Sequence, residues 1–344
     1  MQTPAEVASS QAQPPSEALQ LERAPSRIKS RANIPRLLLT YALSAAALLY
    51  CLRQIDWSTF LLQLTSINYP LFGGFMTIFT VMMLWADAFA IASVYRRTLG
   101  PTSVRDMAVL RGASYLPSLL NYHLGQAMFT WYISRSYRAP VWQVAGTTLL
   151  NYCATLGSLV VLAAGAWALS ADPKPWLSHA LLLLASLAAL YLLAISFAQS
   201  WLVRWEATRV LTEAGLKGHL WALVTRLPHI AVLFTGSWIP FFFFDVPIPL
   251  TDALVFIPIL LLVGALPLTP QGVGTREIVA LQLLSSHAPG TTEEGAAKIT
   301  ACCLCWAVAL TLVEAALSLI ASPMVAKIAS PSRHAIEPVP SAPH

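Results

Sequence analysis

Residues 265–278, ALPLTPQGVGTREI, separate two apolar runs and decide how we expect the chain to fold. The stretch contains two prolines, two glycines and an Arg-Glu pair. Proline lacks the N–H donor and clashes with the preceding turn, while glycine adopts conformations closed to other residues. We therefore predict that a helix breaks near Pro267 and restarts near Thr275. Because a broken backbone within lipid must be buried in protein or line a cavity, the stretch is also the first indication of a site.

Composition places the chain among membrane proteins. Of its 344 residues, 56% are hydrophobic and 11% are charged, against roughly 25% charged residues in soluble domains. We therefore predict an all-α polytopic membrane protein. The net charge of +5 is carried mostly by short loops, as a topology signal requires, and no nucleic-acid-binding motif is found, so no nucleic-acid partner is expected. Cys302 and Cys305 have CxxC spacing but no His or carboxylate beside them, and we predict neither a metal nor another cofactor.

Apolar runs predict six spanning helices, each close to the roughly 20 residues that cross a bilayer. An amphipathic segment, residues 53–69, is expected to form a short helix in the membrane interface. Polar ends rich in Pro and Ser predict disordered tails over residues 1–35 and 326–344, around a membrane domain of residues 36–325. The six predicted spans are residues 37–52, 70–95, 141–169, 176–201, 220–244 and 296–320.

Two further segments are too interrupted to span and predict re-entrant helical hairpins. The order span, span, hairpin, span then occurs twice, in halves of about residues 36–170 and 176–325. Three crossings per half invert the second half relative to the first, and such an inverted repeat is the architecture of many alternating-access transporters. The predicted structural breaks are Pro117 and Gly125 in the first hairpin, residues 112–132, and Pro267, Pro270, Gly272 and Gly274 in the second.

The distribution of basic residues predicts the orientation in the membrane. With a cytoplasmic N-terminus, 16 of the 21 lysines and arginines fall on the cytoplasmic side of this layout. Such an excess is the positive-inside signal, so we expect both termini in the cytoplasm. The basic residues left outside or within the membrane are Arg53, Lys174, Arg226, Arg276 and Lys298.

Residues 266–281, LPLTPQGVGTREIVAL, with the apolar span that follows, resemble the conserved stretch of the lysylphosphatidylglycerol synthase transmembrane, or flippase-like, family. The resemblance covers residues 37–322 and implies a domain that moves a lipid between leaflets of the bacterial inner, or plasma, membrane. The first half departs from the family pattern. Gln126 follows Gly125 where the family has an acid, and Trp306 stands near the place of an expected arginine. The resemblance includes no aminoacyl-transferase domain, so we expect no amino-acid-transferring activity.

Thr275, Arg276 and Glu277 begin the returning half of the second hairpin and are the first candidate substrate-binding residues. Helix N-termini present unpaired N–H groups and partial positive charge, and Arg276 adds a full charge, so an anionic head group could bind there. Thr269 and Gln271 of the preceding loop are further candidates. The alternative is that Glu277 caps the helix and pairs with Arg276. A charge at membrane depth costs on the order of 3 kcal/mol, which favours the functional interpretation.

Arg226 and His229 lie three residues apart and therefore share one face of the fifth span. We predict that they bind phosphate or relay a proton; alternatively, Arg226 extends its guanidinium to the interface. In the first hairpin, Asn121, His123 and Gln126 either donate hydrogen bonds to a head group or satisfy the hairpin's own broken backbone.

The predicted function is lipid translocation, in which a polar or anionic membrane lipid crosses through a cavity between the two hairpins. No Ser-His-Asp arrangement or phosphate loop is found, so we do not predict an enzyme. Asp87 and Glu314 are expected to pair with an arginine of the bundle, and the alternative is that they bind a coupling proton. The alternative function is a non-transporting membrane partner or scaffold for a lipid- or glycan-modifying transferase.

Overall fold

The computed structural model describes residues 34–168, 175–197, 206–265 and 274–328. About 90% of these residues are helical, and no strand occurs among them. The chain divides into two compact units, Met1–Leu39 and Thr40–His344, and every contact discussed below lies within the second. The α-helices are α1 (Ile34–Leu52), α2 (Trp57–Ser66), α3 (Tyr69–Thr98), α4 (Val104–Ala113), α5 (Tyr115–Leu120), α6 (Tyr122–Tyr137), α7 (Val141–Ala168), α8 (Pro175–Phe197), α9 (Glu206–Trp238), α10 (Leu250–Ala265), α11 (Thr275–Leu284) and α12 (Thr292–Ile328).

Five helices within the described ranges are long and apolar enough to cross a membrane. They coincide with the second to the sixth predicted spans and extend most of them by several residues. The first predicted span, residues 37–52, lies in α1, which is not among the five, so the count of six remains a prediction. The five helical stretches are Tyr69–Thr98, Val141–Ala168, Ser178–Phe197, Ala207–Phe244 and Thr292–Ile328.

The short helix α2 occupies the place predicted for the interfacial helix, and a side chain caps its start. The Asp56 carboxylate accepts hydrogen bonds from the Thr59 N–H at 2.7 Å and from the Ser58 hydroxyl at 2.6 Å. The first of these satisfies a donor that the helix start leaves unpaired. The Asp56 N–H donates in turn to the Glu293 carbonyl at 3.3 Å. These bonds join the start of α2 to the start of α12.

The first interrupted segment is divided at Ser114 and Asn121, not at Pro117 and Gly125 as predicted. Pro117 is the third residue of α5, and a helix tolerates proline in its first turn because no intrahelical bond is lost there. Gly125 lies inside α6, where an added Cβ would come 1.7 Å from the Ser118 Oγ of α5. The glycine therefore allows α5 and α6 to pack closely and does not itself break a helix.

A side chain of α12 bridges the division between α4 and α5. The Ser318 hydroxyl donates to the Ala113 carbonyl and accepts from the Leu116 N–H, both at 3.1 Å. Close by, a Cβ on Gly112 would come within 3.2 Å of the Ala321 Cβ. Helices α4 and α12 thus approach closely, and the interrupted backbone finds its partners inside the protein, as a lipid environment requires.

Helix α9 starts at Glu206, earlier than the predicted residue 220, and is divided at Gly215. The backbone there has φ 54° and ψ −173°, a conformation that favours glycine. The His219 ring links the bend to α8, because its Nδ1 lies 2.7 Å from the Gly215 carbonyl oxygen and its Nε2 lies 2.9 Å from the Tyr191 hydroxyl. A 3₁₀ helix, Ile239–Phe244, follows α9 and buries Phe241 and Phe244 in the core.

Helix α11 begins at Thr275, where the sequence predicts that a helix restarts, and the last described residue of α10 is Ala265. Gly274 precedes α11 with φ 88°, and a Cβ there would come 2.7 Å from the Ala47 Cβ and 2.8 Å from the Ser44 carbonyl oxygen of α1. Only glycine fits between α11 and α1 at this point. Five predicted residues of this stretch, namely Pro267, Thr269, Pro270, Gln271 and Gly272, lie outside the described residues.

Candidate functional site

A buried group of charges lies where α3, α4 and α9 meet. The Asp87 carboxylate of α3 forms an ion pair with the Arg226 guanidinium of α9 and a second one, at 2.9 Å, with the Arg111 Nε of α4. The side chains of Asp87 and Arg226 are each 7% exposed, and that of Arg111 is 18% exposed. Arg226 therefore does not reach the interface as the alternative interpretation proposed. Asp87 is ion-paired as expected.

Helix α7 also contributes to this group. The Arg226 Nε donates to the Thr155 Oγ1 at 2.7 Å, and the Thr155 hydroxyl donates to the Asn151 carbonyl at 3.0 Å. His229 lies on the same face as Arg226 and close enough to Asp87 to interact electrostatically. Its Nδ1 is buried and has no hydrogen-bond partner among the described residues. These residues form one group. We call it the Asp87 cluster, and it consists of Asp87, Arg111, Thr155, Arg226 and His229.

The Arg111 side chain connects the Asp87 cluster to the first hairpin. Its guanidinium carbon lies 5.7 Å from the centre of the Tyr115 ring of α5 and 5.5 Å from the centre of the Phe129 ring of α6. Glu314 of α12 is close enough to Arg111 and Tyr115 to interact electrostatically with both. The cluster links α3, α4, α7 and α9, and removing one of its charges would leave an uncompensated charge in the interior.

The second group of predicted residues lies at the start of α11. Glu277 is buried, and its carboxylate accepts a hydrogen bond from the Gly274 N–H at 2.6 Å, so it caps the helix. Arg276 is 9% exposed and forms no ion pair with Glu277. Its guanidinium carbon instead lies 3.7 Å from the centre of the Trp306 ring of α12. The alternative interpretation is therefore half right: Glu277 caps the helix, but it does not pair with Arg276.

Trp306 holds this arrangement in place. Its indole Nε1 donates to the Gly236 carbonyl of α9 at 2.9 Å, which fixes the ring against which Arg276 packs. A cation over an indole face is stabilised by the ring quadrupole, by up to about 2 kcal/mol when desolvated, but its N–H donors are not satisfied by the ring. No carboxylate among the described residues pairs with Arg276. A nearly buried guanidinium that has no carboxylate partner among the described residues is suited to binding an anion. Thr275 is half-buried beside it.

The predicted residues of the first hairpin lie at the α5–α6 division. The Asn121 Oδ1 accepts from the His123 N–H at 2.8 Å and from the Leu124 N–H at 3.3 Å, so Asn121 caps α6. Asn121 and His123 are exposed, whereas Gln126 is half-buried. Asn121 therefore satisfies broken backbone, as its alternative interpretation states.

The structure places Arg226 and Arg276 in two separate groups. Arg226 and Gly236, whose carbonyl bonds to Trp306, are ten residues apart in α9, which corresponds to about 15 Å along the helix. Sequence reasoning did not find that Arg111 pairs with Asp87 or that Arg276 packs on Trp306. Equal spacing does not reveal the partner of Asp87, which lies 11 residues before the end of α3, whereas Arg111 lies seven residues after the start of α4.

These long apolar helices with buried charges define a multi-pass helical membrane protein. No family model matches the chain, and neither does any curated protein or solved structure. Within the described residues, no group of three or more His, Cys, Asp or Glu side chains is placed to hold a metal ion.

Proposed function

We propose that this protein translocates a polar or anionic lipid between membrane leaflets. The observation that carries the proposal is the Arg276 guanidinium, which is nearly buried at the start of a short helix and packs on Trp306 without a carboxylate partner among the described residues. Charges at membrane depth are costly and mostly functional. An anionic head group would neutralise this charge and accept hydrogen bonds from the guanidinium N–H groups.

The lengths of the helices beside the two interruptions support a pair of re-entrant hairpins. With 16 and 10 residues, α10 and α11 would extend about 24 and 15 Å, less than the roughly 30 Å hydrocarbon core. Helices α5 and α6, with 6 and 16 residues, are similarly short. The order of long and short helices is compatible with two inverted halves, an architecture in which substrate binds between broken helices near the midplane.

The Asp87 cluster would then control movement rather than bind lipid. It joins α3 and α4 of the first proposed half to α9 of the second, and its carboxylate is occupied by two arginines. Opening a path between the halves requires these pairs to separate, and closing it restores them. His229, with one ring nitrogen unbonded among the described residues, is placed to take up a partner when they separate. The acyl chains would remain in the surrounding lipid.

The test is lipid translocation in proteoliposomes containing fluorescently labelled phosphatidylglycerol or phosphatidylcholine, with dithionite reduction of the label that reaches the outer leaflet. We expect the wild type to move the anionic lipid faster. Arg276→Gln should slow it about tenfold or more, because a charge-assisted hydrogen bond contributes about 1.5–3 kcal/mol. Arg53→Gln, which removes an exposed arginine, is the matched control and should have no effect.

Two results would contradict the proposal. One is an Arg276→Gln variant that folds and translocates phosphatidylglycerol at the wild-type rate. The other is a wild type that moves neither lipid but co-purifies with a lipid- or glycan-modifying transferase, which would favour the scaffold function.

The proposed orientation has its own test. Single cysteines at the exposed positions Ser103 and Ser286, in a variant whose native cysteines are replaced, should lie on opposite sides of a bacterial inner membrane. We expect a membrane-impermeant maleimide added to intact spheroplasts to label Ser286→Cys and not Ser103→Cys. Labelling of both positions, or of Ser103→Cys alone, would overturn the layout with cytoplasmic termini.

A further inference from the structure

A cavity of about 310 Å³ lies between α3, α7 and α9, at the end of the bundle that the basic residues predict to be cytoplasmic. Its α9 residues, Val210 to Trp221, lie at least 15 residues before Gly236, which contacts the Arg276 group through Trp306, and none of its lining residues belongs to either group described above. Its volume is near the lower end of the range for small-molecule sites, so a compact ligand would fill it. Its polar lining consists of Arg97 and Thr98 of α3, Gln143 of α7, and Glu213 and Lys217 of α9.

Two cationic side chains face this cavity together. The Arg97 guanidinium carbon lies 4.2 Å from the centre of the Trp221 ring. Trp221 and Lys217 are separated by four residues and therefore occupy the same face of α9. Arg97 therefore packs on the face of α9 that also carries Lys217, and neither cation forms an ion pair with any of the described residues.

The carboxylate that lines the cavity is already engaged. The Glu213 Oε1 accepts from the Arg209 Nε at 2.6 Å, and Arg209 does not line the cavity. The charged side chains that line the cavity are two cations, Arg97 and Lys217, and one carboxylate, Glu213, whose own partner Arg209 adds a further positive charge nearby. The second segment of α9 starts after Gly215, and the partial positive charge of a helix start adds to that of Lys217 in its first turn.

The neutral lining is held in a fixed geometry. The Gln143 Nε2 donates to the Thr98 carbonyl at 2.7 Å, and the Thr147 hydroxyl donates to the Thr98 hydroxyl at 3.0 Å. These bonds tie the start of α7 to the end of α3. Basic residues at a cytoplasmic membrane surface are expected from topology alone, but topology does not require a preformed cavity or an aromatic ring that positions one of them.

We propose that this cavity, lined by Arg97, Lys217 and Trp221, binds a phosphate-bearing anion. Arg97 would bind phosphate oxygens with its planar pair of N–H donors, and Lys217 would add a mobile ammonium. Lipid head groups and free phosphate share this chemistry. The site is independent of the translocation proposal, since none of its residues belongs to the Arg276 group or to the Asp87 cluster.

The experiment measures binding by the full-length protein in an uncharged detergent, using isothermal titration calorimetry. The probes are inorganic phosphate and short-chain dihexanoyl phosphatidylglycerol below its micelle concentration, with dihexanoyl phosphatidylcholine as the net-neutral comparison. We expect at least one of the two anionic probes to bind more tightly than the neutral lipid. The affinity should fall as salt is raised to several times physiological ionic strength, where the Debye length shortens from about 8 Å.

Variants decide whether the bound probe occupies this cavity. Arg97→Gln and Lys217→Gln should each raise the Kd about tenfold, and the double variant should raise it more. Arg105→Gln, which removes an exposed arginine of α4 at the same predicted end, should leave the Kd unchanged. Size-exclusion chromatography and thermal unfolding confirm that each variant is folded.

Each outcome bears on the proposal. Tighter binding of phosphatidylglycerol than of phosphate identifies the ligand as a lipid head group, and the reverse order identifies a free anion; both support the site. The proposal is overturned if neither anionic probe binds, if the double variant binds as the wild type does, or if Arg105→Gln causes the same loss.

Discussion

Replacing Asp87 with alanine tests how strongly the buried charges hold the helices together. The change leaves two guanidiniums without their counter-charge at a place where the Asp87 and Arg226 side chains are each only 7% exposed. Removing one partner of a buried ion pair costs about 3–5 kcal/mol, because an uncompensated charge remains in the interior. We therefore expect Asp87→Ala to lower the free energy of unfolding by about this amount.

A second variant separates the pairing from a general packing defect. In Asp87→Ala/Arg226→Met both buried charges are absent, and Arg111, at 18% exposure, keeps its contacts with the Tyr115 and Phe129 rings. The double variant should therefore be more stable than the sum of the two single changes by about 1–3 kcal/mol, the usual range for residues in direct contact.

The assay is reversible unfolding by sodium dodecyl sulfate in mixed micelles, followed by circular dichroism. Glu213→Ala is the control, because it breaks an ion pair whose side chains are more than half exposed and should cost no more than about 1 kcal/mol. The reasoning fails if Asp87→Ala costs as little as the control, or if the effects of Asp87→Ala and Arg226→Met are simply additive.

Two further changes test local features. Gly125→Ala should destabilise the protein by about 1–3 kcal/mol in the same unfolding assay, since its Cβ would overlap Ser118. The control is Gly157→Ala, which should be neutral or stabilising because the space around the added methyl group is open. Equal effects of the two changes would contradict the close packing of α5 and α6. Hydrogen bonds from the Ser58 and Thr59 side chains and the Thr59 N–H lower the pKa of Asp56 from 3.8 to about 2, so the α2 cap should be complete above about pH 4 and be lost as the pH falls through 2. The Thr59 amide shift in an NMR titration should follow this midpoint, and a midpoint near 4 would refute the bonded carboxylate.

The predictability of the two interruptions differs for a physical reason. In residues 265–278 the helix restarts at Thr275 as the sequence predicts, because Gly274 adopts φ 88° before it, whereas the predicted break near Pro267 lies outside the described residues. In the first segment Pro117 lies in the first turn of α5, and Gly125 allows α5 and α6 to pack closely. Neither residue therefore breaks a helix, although proline and glycine usually indicate a break. Asn121 was the better signal, because asparagine is a preferred N-cap and its side chain accepts the first amides of α6.

The candidate sites were predictable only in part. The sequence shows that Arg226, Arg276 and Asp87 lie in apolar surroundings and need partners, because a buried charge is costly. It does not show which partners, since that depends on how each helix is rotated and on which helices are neighbours. Arg276 lies on Trp306, a residue distant in the chain, and no local pattern distinguishes this ring from the other tryptophans.

The hydroxyl of Ser318 has a mechanical consequence. It bonds to the last carbonyl of α4 and to an amide of α5, so a helix near the end of the chain is fastened to a hairpin near its beginning. Any rigid-body displacement of α12 would carry α4 and α5 with it. In the proposed movement, α12 of the second half would therefore stay with α4 and α5 of the first, so the part that moves would not end at the boundary between the two halves of the sequence.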